Sequence, residues 1–352
     1  MMMNEPFWEQ AYRDPNADAF AKGPTSDLEA YAAHLKPRSR VLDVGCGEGR
    51  NSIYLAAQGH IVDAFDISAA GIASAKRRAA EQRLDIRFWL EDLASFTFLR
   101  KYDVILSHGV LHLPEKAVRD AFLHKARAHT KPGGLHFIGI FTNRLPATPD
   151  NRPFTKSLFD VGELPAQYAG WDIIHHLEDI FHDEHPGGLK HEHAYERIIA
   201  RKPEFRRIKE NKREYMPLLL LADESERMIG RYLERGDLFA LYLGDELVGV
   251  SVVTDEGGGV LELQNIAITE ARQRQGWGVR MVRHLLGYYR RKGKTMIVGT
   301  GNVPSAVQFY RYCDFQVSHY LHDYFIRHYD HPMYEDGVQL RDKVYLKIEL
   351  GD

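Results

Sequence analysis

Two glycine-rich stretches have the residue types and spacing of cofactor loops. In the first, Val41-Leu42-Asp43-Val44 is an apolar run containing a carboxylate, followed by Gly45-Cys46-Gly47-Glu48-Gly49, a turn that opens a helical pattern. Glycines there let the backbone bend sharply and approach a ligand with no Cβ in between. A bare GxG is shared with dinucleotide enzymes, but here the spacing is GxGxG, Asp43 sits beside the turn and Asp66 ends the next apolar run. A carboxylate at the turn suits an ammonium group better than a pyrophosphate. Asp66 can hold ribose hydroxyls, and Asp92 is placed to accept a hydrogen bond from an adenine amino group. The expected ligand is therefore a nucleoside joined to a methionine-like moiety.

In the second stretch, Gln273-Arg274-Gln275-Gly276-Trp277-Gly278 follows an apolar strand pattern and opens a helix rich in Val279, Met281, Val282, Leu285 and Leu286. Exposed NH groups at a helix start, backed by the helix dipole, make a site for a phosphate linkage. Gly276 and Gly278 remove side chains that would block it.

The elements that must position these loops follow from periodicity. Short β-branched runs at 41–44, 61–65, 86–89, 102–107 and 135–141 alternate with helical patterns beginning near 51, 68 and 115, which predicts a doubly wound α/β sheet. Lys131-Pro132-Gly133-Gly134 reads as the turn before the fifth strand. Strands at 171–176 and 195–200, joined by a His- and Gly-rich connection, are expected to close the sheet as an antiparallel hairpin. Residues 201–213 mix Lys and Arg with Glu204 and Glu210 and read as a solvated junction. Beyond it come helices at 217–222 and 225–235, strands at 238–243, 247–254 and 260–268, a helix at 278–291, a strand at 295–300, a helix at 305–312 and terminal strands.

A chain of 352 residues exceeds the usual size of one core, so two domains are expected, at 1–202 and 203–352. The net charge of −3 and the absence of a basic tail argue against a nucleic-acid partner. Cys46 and Cys313 stand alone, without a CxxC pair, which supports neither disulfides nor a zinc knuckle. Residues 1–10 lack a basic run followed by an apolar one, and no stretch of about eighteen apolar residues occurs, so the expectation is a cytoplasmic protein without a membrane partner. Oligomeric state is left open.

The first half resembles the class I S-adenosylmethionine-dependent methyltransferases, and more narrowly the branch associated with tellurite resistance. The narrower likeness rests on Phe7-Trp8-Glu9-Gln10-Ala11-Tyr12-Arg13, Gly23-Pro24, the Gly45 to Ser52 run and Val110-Leu111-His112. It implies an α/β Rossmann-like fold, S-adenosylmethionine as cofactor and a lid role for residues 20–24. A soft anion or thiolate accepts a methyl group without a base. An amine or hydroxyl acceptor needs one, and His108 and His112 are the nearest candidates, each equally readable as a structural or cofactor-lining histidine. His182, His185, His191 and His193 either hold a metal, line the acceptor pocket or are solvated, and no metal ligand is assigned among them.

The second half resembles the GNAT acetyltransferases, an α/β fold with a mixed, mostly antiparallel sheet. The likeness rests on the Gln273 to Gly278 run and on Asn302-Val303-Pro304-Ser305-Ala306-Val307-Gln308-Phe309-Tyr310. It implies acetyl-CoA as cofactor, with Ile266, Ala267 and Ile268 presenting backbone to the acetyl-bearing arm and Arg274 to Val279 holding the pyrophosphate. It also implies Tyr310 as general acid toward the departing thiolate and Glu262 as general base, often through water. Asp314 departs from the pattern, standing where the family usually has glycine. The reading is a bifunctional enzyme transferring methyl and acetyl groups to small molecules in detoxification, resistance or specialised metabolism. Its rivals are that one domain only senses or binds its cofactor for the other, or that the acceptor is a protein.

Overall fold

The computed structural model describes residues 6–13, 23–148, 152–185 and 189–351, without the side chains of Phe7, 183–185 and 189–191. The chain divides into two compact units, Met1–Lys202 and Pro203–Asp352. Among the described residues no helix is long and apolar enough to cross a membrane.

The first unit is built on seven strands: β1 (Arg40–Val44), β2 (Ile61–Asp66), β3 (Ile86–Leu90), β4 (Tyr102–His108), β5 (Thr130–Phe141), β6 (Asp172–His185) and β7 (Leu189–Arg201). Their order is β3-β2-β1-β4-β5-β7-β6. The first five run parallel, while β7 and β6 are antiparallel to their neighbours. Around them lie α1 (Phe7–Arg13), α2 (Ser26–Tyr31), α3 (Arg50–Ala57), α4 (Ala69–Glu81), α5 (Lys116–Ala128) and α6 (Glu163–Gln167). Both faces of β1 are apolar because both are covered. Leu42 and Val44 enter one core with Phe65, Ile105, Phe122 and Ile138, while Val41 enters another with Ile53, Ala75, Leu106 and Phe137.

Two local expectations are corrected. Lys131 to Gly134 do not precede β5 but bulge within it, since Thr130 already pairs with Tyr102 and the ladder resumes at Leu135 opposite Val104. The excursion is held because Gly133 NH donates to the Lys202 carbonyl and Lys202 NH to the Gly134 carbonyl. The His-rich connection is also strand, with β6 and β7 paired from Asp172 opposite Arg201 out to His185 opposite Leu189. Aromatic contacts such as Phe181 with His193 and Tyr195 sustain that length.

The second unit has β8 (Glu204–Ile208), β9 (Asp237–Leu243), β10 (Glu246–Gly257), β11 (Val260–Ile268), β12 (Thr295–Gly301), β13 (Gln316–Leu321), the short pair β14 (Tyr334–Glu335) and β15 (Val338–Gln339), and β16 (Lys343–Glu349). Its main sheet has the order β13-β16-β12-β11-β10-β9-β8, with only β11 and β12 parallel. The helices are α7 (Met216–Leu219), α8 (Glu226–Gly230), α9 (Trp277–Tyr289), α10 (Pro304–Tyr312) and α11 (Tyr324–His328). The supposed solvated junction contains β8. Phe205 stacks on His284 with ring centroids 4.0 Å apart, which draws the segment onto the sheet, and Arg207 pairs with Asp237. A charged edge strand of this kind resists pairing with other chains. The helix expected through residue 235 ends at Gly230, a poor residue for a helix interior.

Candidate functional site

In the first unit a cavity of about 1500 Å³ is lined by residues at the carboxyl ends of β1, β2, β4 and β5. The chain leaves β1 toward β2 on one side while β4 lies on the other, so the crevice sits where the strand order reverses, the usual place for a ligand in such a sheet. Gly45 and Gly47 form its floor with φ of +68° and +53°, whereas Gly49, with φ +78°, caps α3 against Ala75 and Phe88 and does not line the cavity. A side chain at 45 would run into Val110, and one at 47 into the Tyr12 hydroxyl.

Two carboxyls face this floor. Asp66 accepts hydrogen bonds from Gly47 NH at 2.7 Å and Ser68 NH at 2.8 Å, and Asp43 accepts from the Ser52 hydroxyl at 2.6 Å. Burial pushes both above the ordinary carboxylate range, with those hydrogen bonds opposing it. Buried anions of raised pKa, side by side in one cavity, are relieved by a cationic ligand, which fits an ammonium or sulfonium centre. Asp92 is exposed at the cavity rim, one oxygen accepting from Ala94 NH at 2.8 Å.

Part of this wall was not anticipated from the sequence. Helix α1 lies on α4, where Glu9 accepts from the Ser68 hydroxyl and, at 3.2 Å, from Ala70 NH. Tyr12 covers Gly47, and burial, followed by the charge of Asp66, pushes its phenol far up. Of the expected lid, residues 20–22 lie outside the described residues, while Thr25 just beyond it donates its NH to Asn51 at 2.9 Å.

His108 and His112 both line the cavity but differ in surroundings. His108 Nε2 lies 3.0 Å from Asp27 Oδ2, with Arg197 3.9 Å from the other Asp27 oxygen. Burial alone would raise Asp27, but the hydrogen bond and charge of His108, with Thr25 and Arg197, outweigh it and hold the carboxyl well below its usual range. An ionised Asp27 fixes the proton on Nε2, leaving Nδ1, which is buried without a hydrogen-bond partner among the described residues, as an acceptor. His112 instead stacks on Phe141 at 4.4 Å, and Phe141 stacks on His193 at 4.3 Å. Burial, then His193 and Arg119, push His112 down to about 3. His193 thus lines the cavity, and His182 points instead to Glu192 at 3.1 Å. The side chains of His185 and His191 lie outside the described residues.

A pH prediction arises here. His136, held between Thr130 and Tyr168, is also pushed down to about 3 by burial and then by Arg127 and Lys202. Below the unfolded value of about 6.5 the unfolded chain takes up these protons and the folded one does not until about pH 3, so stability is full above about pH 6.5 and falls as the pH drops from there toward 3. Each histidine contributes a slope of roughly 1 kcal/mol per pH unit. Calorimetry between pH 7 and pH 5 should show the first unit's transition moving down, and a flat profile would contradict the assignment.

In the second unit the β11–β12 ladder ends at Leu263 opposite Val298, although β11 continues to Ile268 and β12 to Gly301. The strands therefore part, and a bulge against β10 at the same level, between Val252 and Val253, leaves Gln264 unpaired in register. Beyond the fork, half-buried Ile266 and Ile268 offer backbone that β12 does not use. At the start of α9, Gly276 has φ +81°, no side chain caps the helix and its first turn holds no acid, so its NH groups suit a phosphate. Gln273 is turned back, donating to the Ile268 carbonyl at 3.0 Å, and Arg274 is exposed with φ +58°. Gly278 lets α10 close in, since a Cβ there would lie 3.1 Å from the Phe309 ring.

Tyr310 is buried on α10 among Phe309 and Phe315, and burial, then Cys313 and Glu335, raise its phenol. Asn302 is exposed ahead of that helix, its NH bonded to the Asp342 carbonyl. Asp314, the residue out of pattern, has φ +67°, so the turn keeps the left-handed geometry that favours glycine. Glu262 is not solvated as a strand carboxylate would be. It is buried, accepts from the Tyr345 hydroxyl at 3.1 Å and lies 3.8 Å from Lys343 Nζ, whose ammonium sits 4.9 Å and 4.8 Å from the centres of the Tyr324 and Tyr345 rings.

Sequence comparison finds two families along the chain, with matches that overlap at residues 174–190. The profile of the tellurite resistance protein TehB matches residues 18–190, and that of the acetyltransferase (GNAT) family matches residues 174–315. An uncharacterized N-acetyltransferase of Bacillus subtilis, YvbK, is 38% identical over 139 residues, covering 39% of this chain and 90% of that protein. The probable S-adenosyl-L-methionine-dependent methyltransferase TehB of Haemophilus influenzae is 27% identical over 173 residues, 49% of this chain and 60% of that protein. The chain thus spans less than two thirds of that relative's length. A Bacillus subtilis acetyltransferase solved in complex with CoA is 35% identical, covering 42% of this chain and 99% of that one, with a TM-score of 0.40.

Proposed function

We propose that this chain, which belongs through its second unit to the acetyltransferase (GNAT) family and through its first to the TehB methyltransferases, catalyses two group transfers, with the functional boundary near Pro203. The methyl donor is S-adenosylmethionine and the acetyl donor acetyl-CoA, and both acceptors are small molecules. The observation that carries this reading is the placement of each glycine loop beside a break in its sheet, the β1/β4 reversal and the β11/β12 fork.

In the first unit Asp66 holds the ribose hydroxyls, Asp43 the amino end of the methionine moiety, Gly45 to Gly47 the backbone floor and Asp92 the adenine. The bound donor supplies a methyl carbon already activated by positive sulfur. The protein's part is to hold the acceptor in line, where proximity and orientation count most. His108, which lines the cavity, takes the acceptor's proton with Asp27 as its positioning residue, while His112, neutral and stacked, lines the wall. In the second unit the α9 NH groups hold the pyrophosphate, the Ile266 to Ile268 backbone holds the acetyl-bearing arm, Glu262 serves as base and Tyr310 as acid. Half-buried Asp223, bonded by Tyr329, and the tyrosine rings near Glu262 favour a cationic amine as acetyl acceptor, set against the ammonium of Lys343 already beside Glu262.

The full chain, incubated with both cofactors and a metabolite extract, should produce mass gains of one methyl and one acetyl group, and the absence of either gain would remove that half of the reading. Asp66→Ala should weaken S-adenosylmethionine binding by about 1.5–3 kcal/mol, the range for hydrogen bonds to a charged group. Acetyl-CoA binding should be untouched. Calorimetry that finds methyl-donor affinity unchanged would move the first nucleotide site elsewhere.

A further inference from the structure

The β6–β7 hairpin has a second face with its own chemistry. On β7, His193, Tyr195 and Arg197 line the cavity, so alternation turns Glu196 and Ile198 to the opposite side. Across the ladder Glu178 pairs directly with Glu196, and His176, two residues earlier on β6, pairs with Ile198. All three side chains therefore share the face away from the cavity. His176 Nε2 lies 2.7 Å from Glu196 Oε1 and 3.6 Å from Glu178 Oε1, and one donor atom from each residue lies within 4.8 Å of the others.

Two features make this more than a surface cluster. Carboxylates directly opposite on a ladder repel each other unless a cation or proton lies between them. Glu196 is also completely buried, yet its Oε2 has no hydrogen-bond partner among the described residues. A buried carboxylate with an idle oxygen is stable only when paired or when it coordinates a metal. His176 and Glu178 are each 37% exposed, so the cluster is open to solvent on one side and an ion has a way in.

We propose that His176, Glu178 and Glu196 form a binding site for one divalent transition-metal cation of the zinc class, completed by water. One imidazole and two carboxylates suit zinc or cobalt better than magnesium or calcium, which take oxygen ligands alone. The ion ties the edge strand β6 to β7, the strand that carries His193, Tyr195 and Arg197 into the cavity wall. The site is separate from the histidines of the hairpin tip, where His182 is engaged with Glu192.

Zinc titration of the chelator-treated full chain, in competition with a chromophoric chelator, tests this. A His182→Ala/His185→Ala/His191→Ala variant should keep one tight site. Glu196→Gln and Glu178→Gln should each weaken that site by at least about tenfold, since even outer-shell partners of a metal are worth about 10–100-fold. Zinc should also raise the unfolding temperature of the tip variant and leave that of the tip variant carrying Glu178→Gln unchanged. Glu178 is half exposed, so its replacement reports on the site even where Glu196→Gln fails to fold. Unchanged zinc affinity in Glu178→Gln, or no zinc bound by the tip variant, overturns the proposal.

Discussion

Replacing Tyr310 by phenylalanine lowers acetyl-transfer turnover by roughly 10²–10⁴-fold, the range for a positioned acid or base, and leaves coenzyme affinity nearly unchanged. The expectation rests on placement. Tyr310 is buried on the α10 face that packs into the second unit's core, and its phenol, raised by that burial, is neutral at physiological pH as an ordinary phenol also is. It therefore has a proton to give at physiological pH. Phenylalanine keeps the ring contacts with Phe309 and Phe315 and loses only that proton. The coenzyme contacts lie elsewhere, at the start of α9, so a binding titration should be flat. Because a thiolate leaves fairly well unaided, the effect is expected toward the lower end. Full turnover in the variant would reduce Tyr310 to a packing residue, and lost binding would make it part of the cofactor wall.

The second large effect is at His108. For an acceptor whose reacting atom must lose a proton, His108→Ala should lower methyl transfer by roughly 10²–10⁴-fold. Asp27→Asn should act in the same direction but less, because it removes the carboxylate that orients the ring at 3.0 Å without removing the ring. The size of the loss separates the roles: His108→Ala removes the base, whereas Asp27→Asn leaves the ring without its orienting carboxylate. Wild-type rates in His108→Ala with a proton-bearing acceptor would show that the cavity works by orientation alone.

The different surroundings of His108 and His112 show where reading by residue type stops. Gly45, Gly47, Gly49, Asp43 and Asp66 were legible because each sits at a strand end or in the turn that follows, and strand ends can be read from periodicity. Gly276 and Gly278 were legible for the same reason, at a helix start after an apolar strand. Asp314 was legible as a departure, and its left-handed backbone gives the reason that so few residue types suit that place.

What tertiary structure decided were the partners. Asp27 and His108 are 81 residues apart in the chain, and nothing local marks that carboxylate as the orienter of that ring. Glu262 and Tyr345 are 83 apart, so only the β16–β12–β11 stacking makes Glu262 a buried, engaged group. His108 and His112 look alike in sequence, yet one faces a carboxylate and the other stacks on the Phe141 ring. Glu178 and Glu196 became a pair through the β6–β7 register, which a single-residue slip would have turned to opposite faces. The sequence by itself determined most of the strands, the glycine turns and the cofactor classes, because these depend on contacts within a few residues, while β8 and the outer half of the β6–β7 hairpin form only through pairing with a neighbouring strand. Which side chain meets which, and hence which group is charged, neutral or poised, depends on sheet order and register, and those are settled only when distant segments pack together.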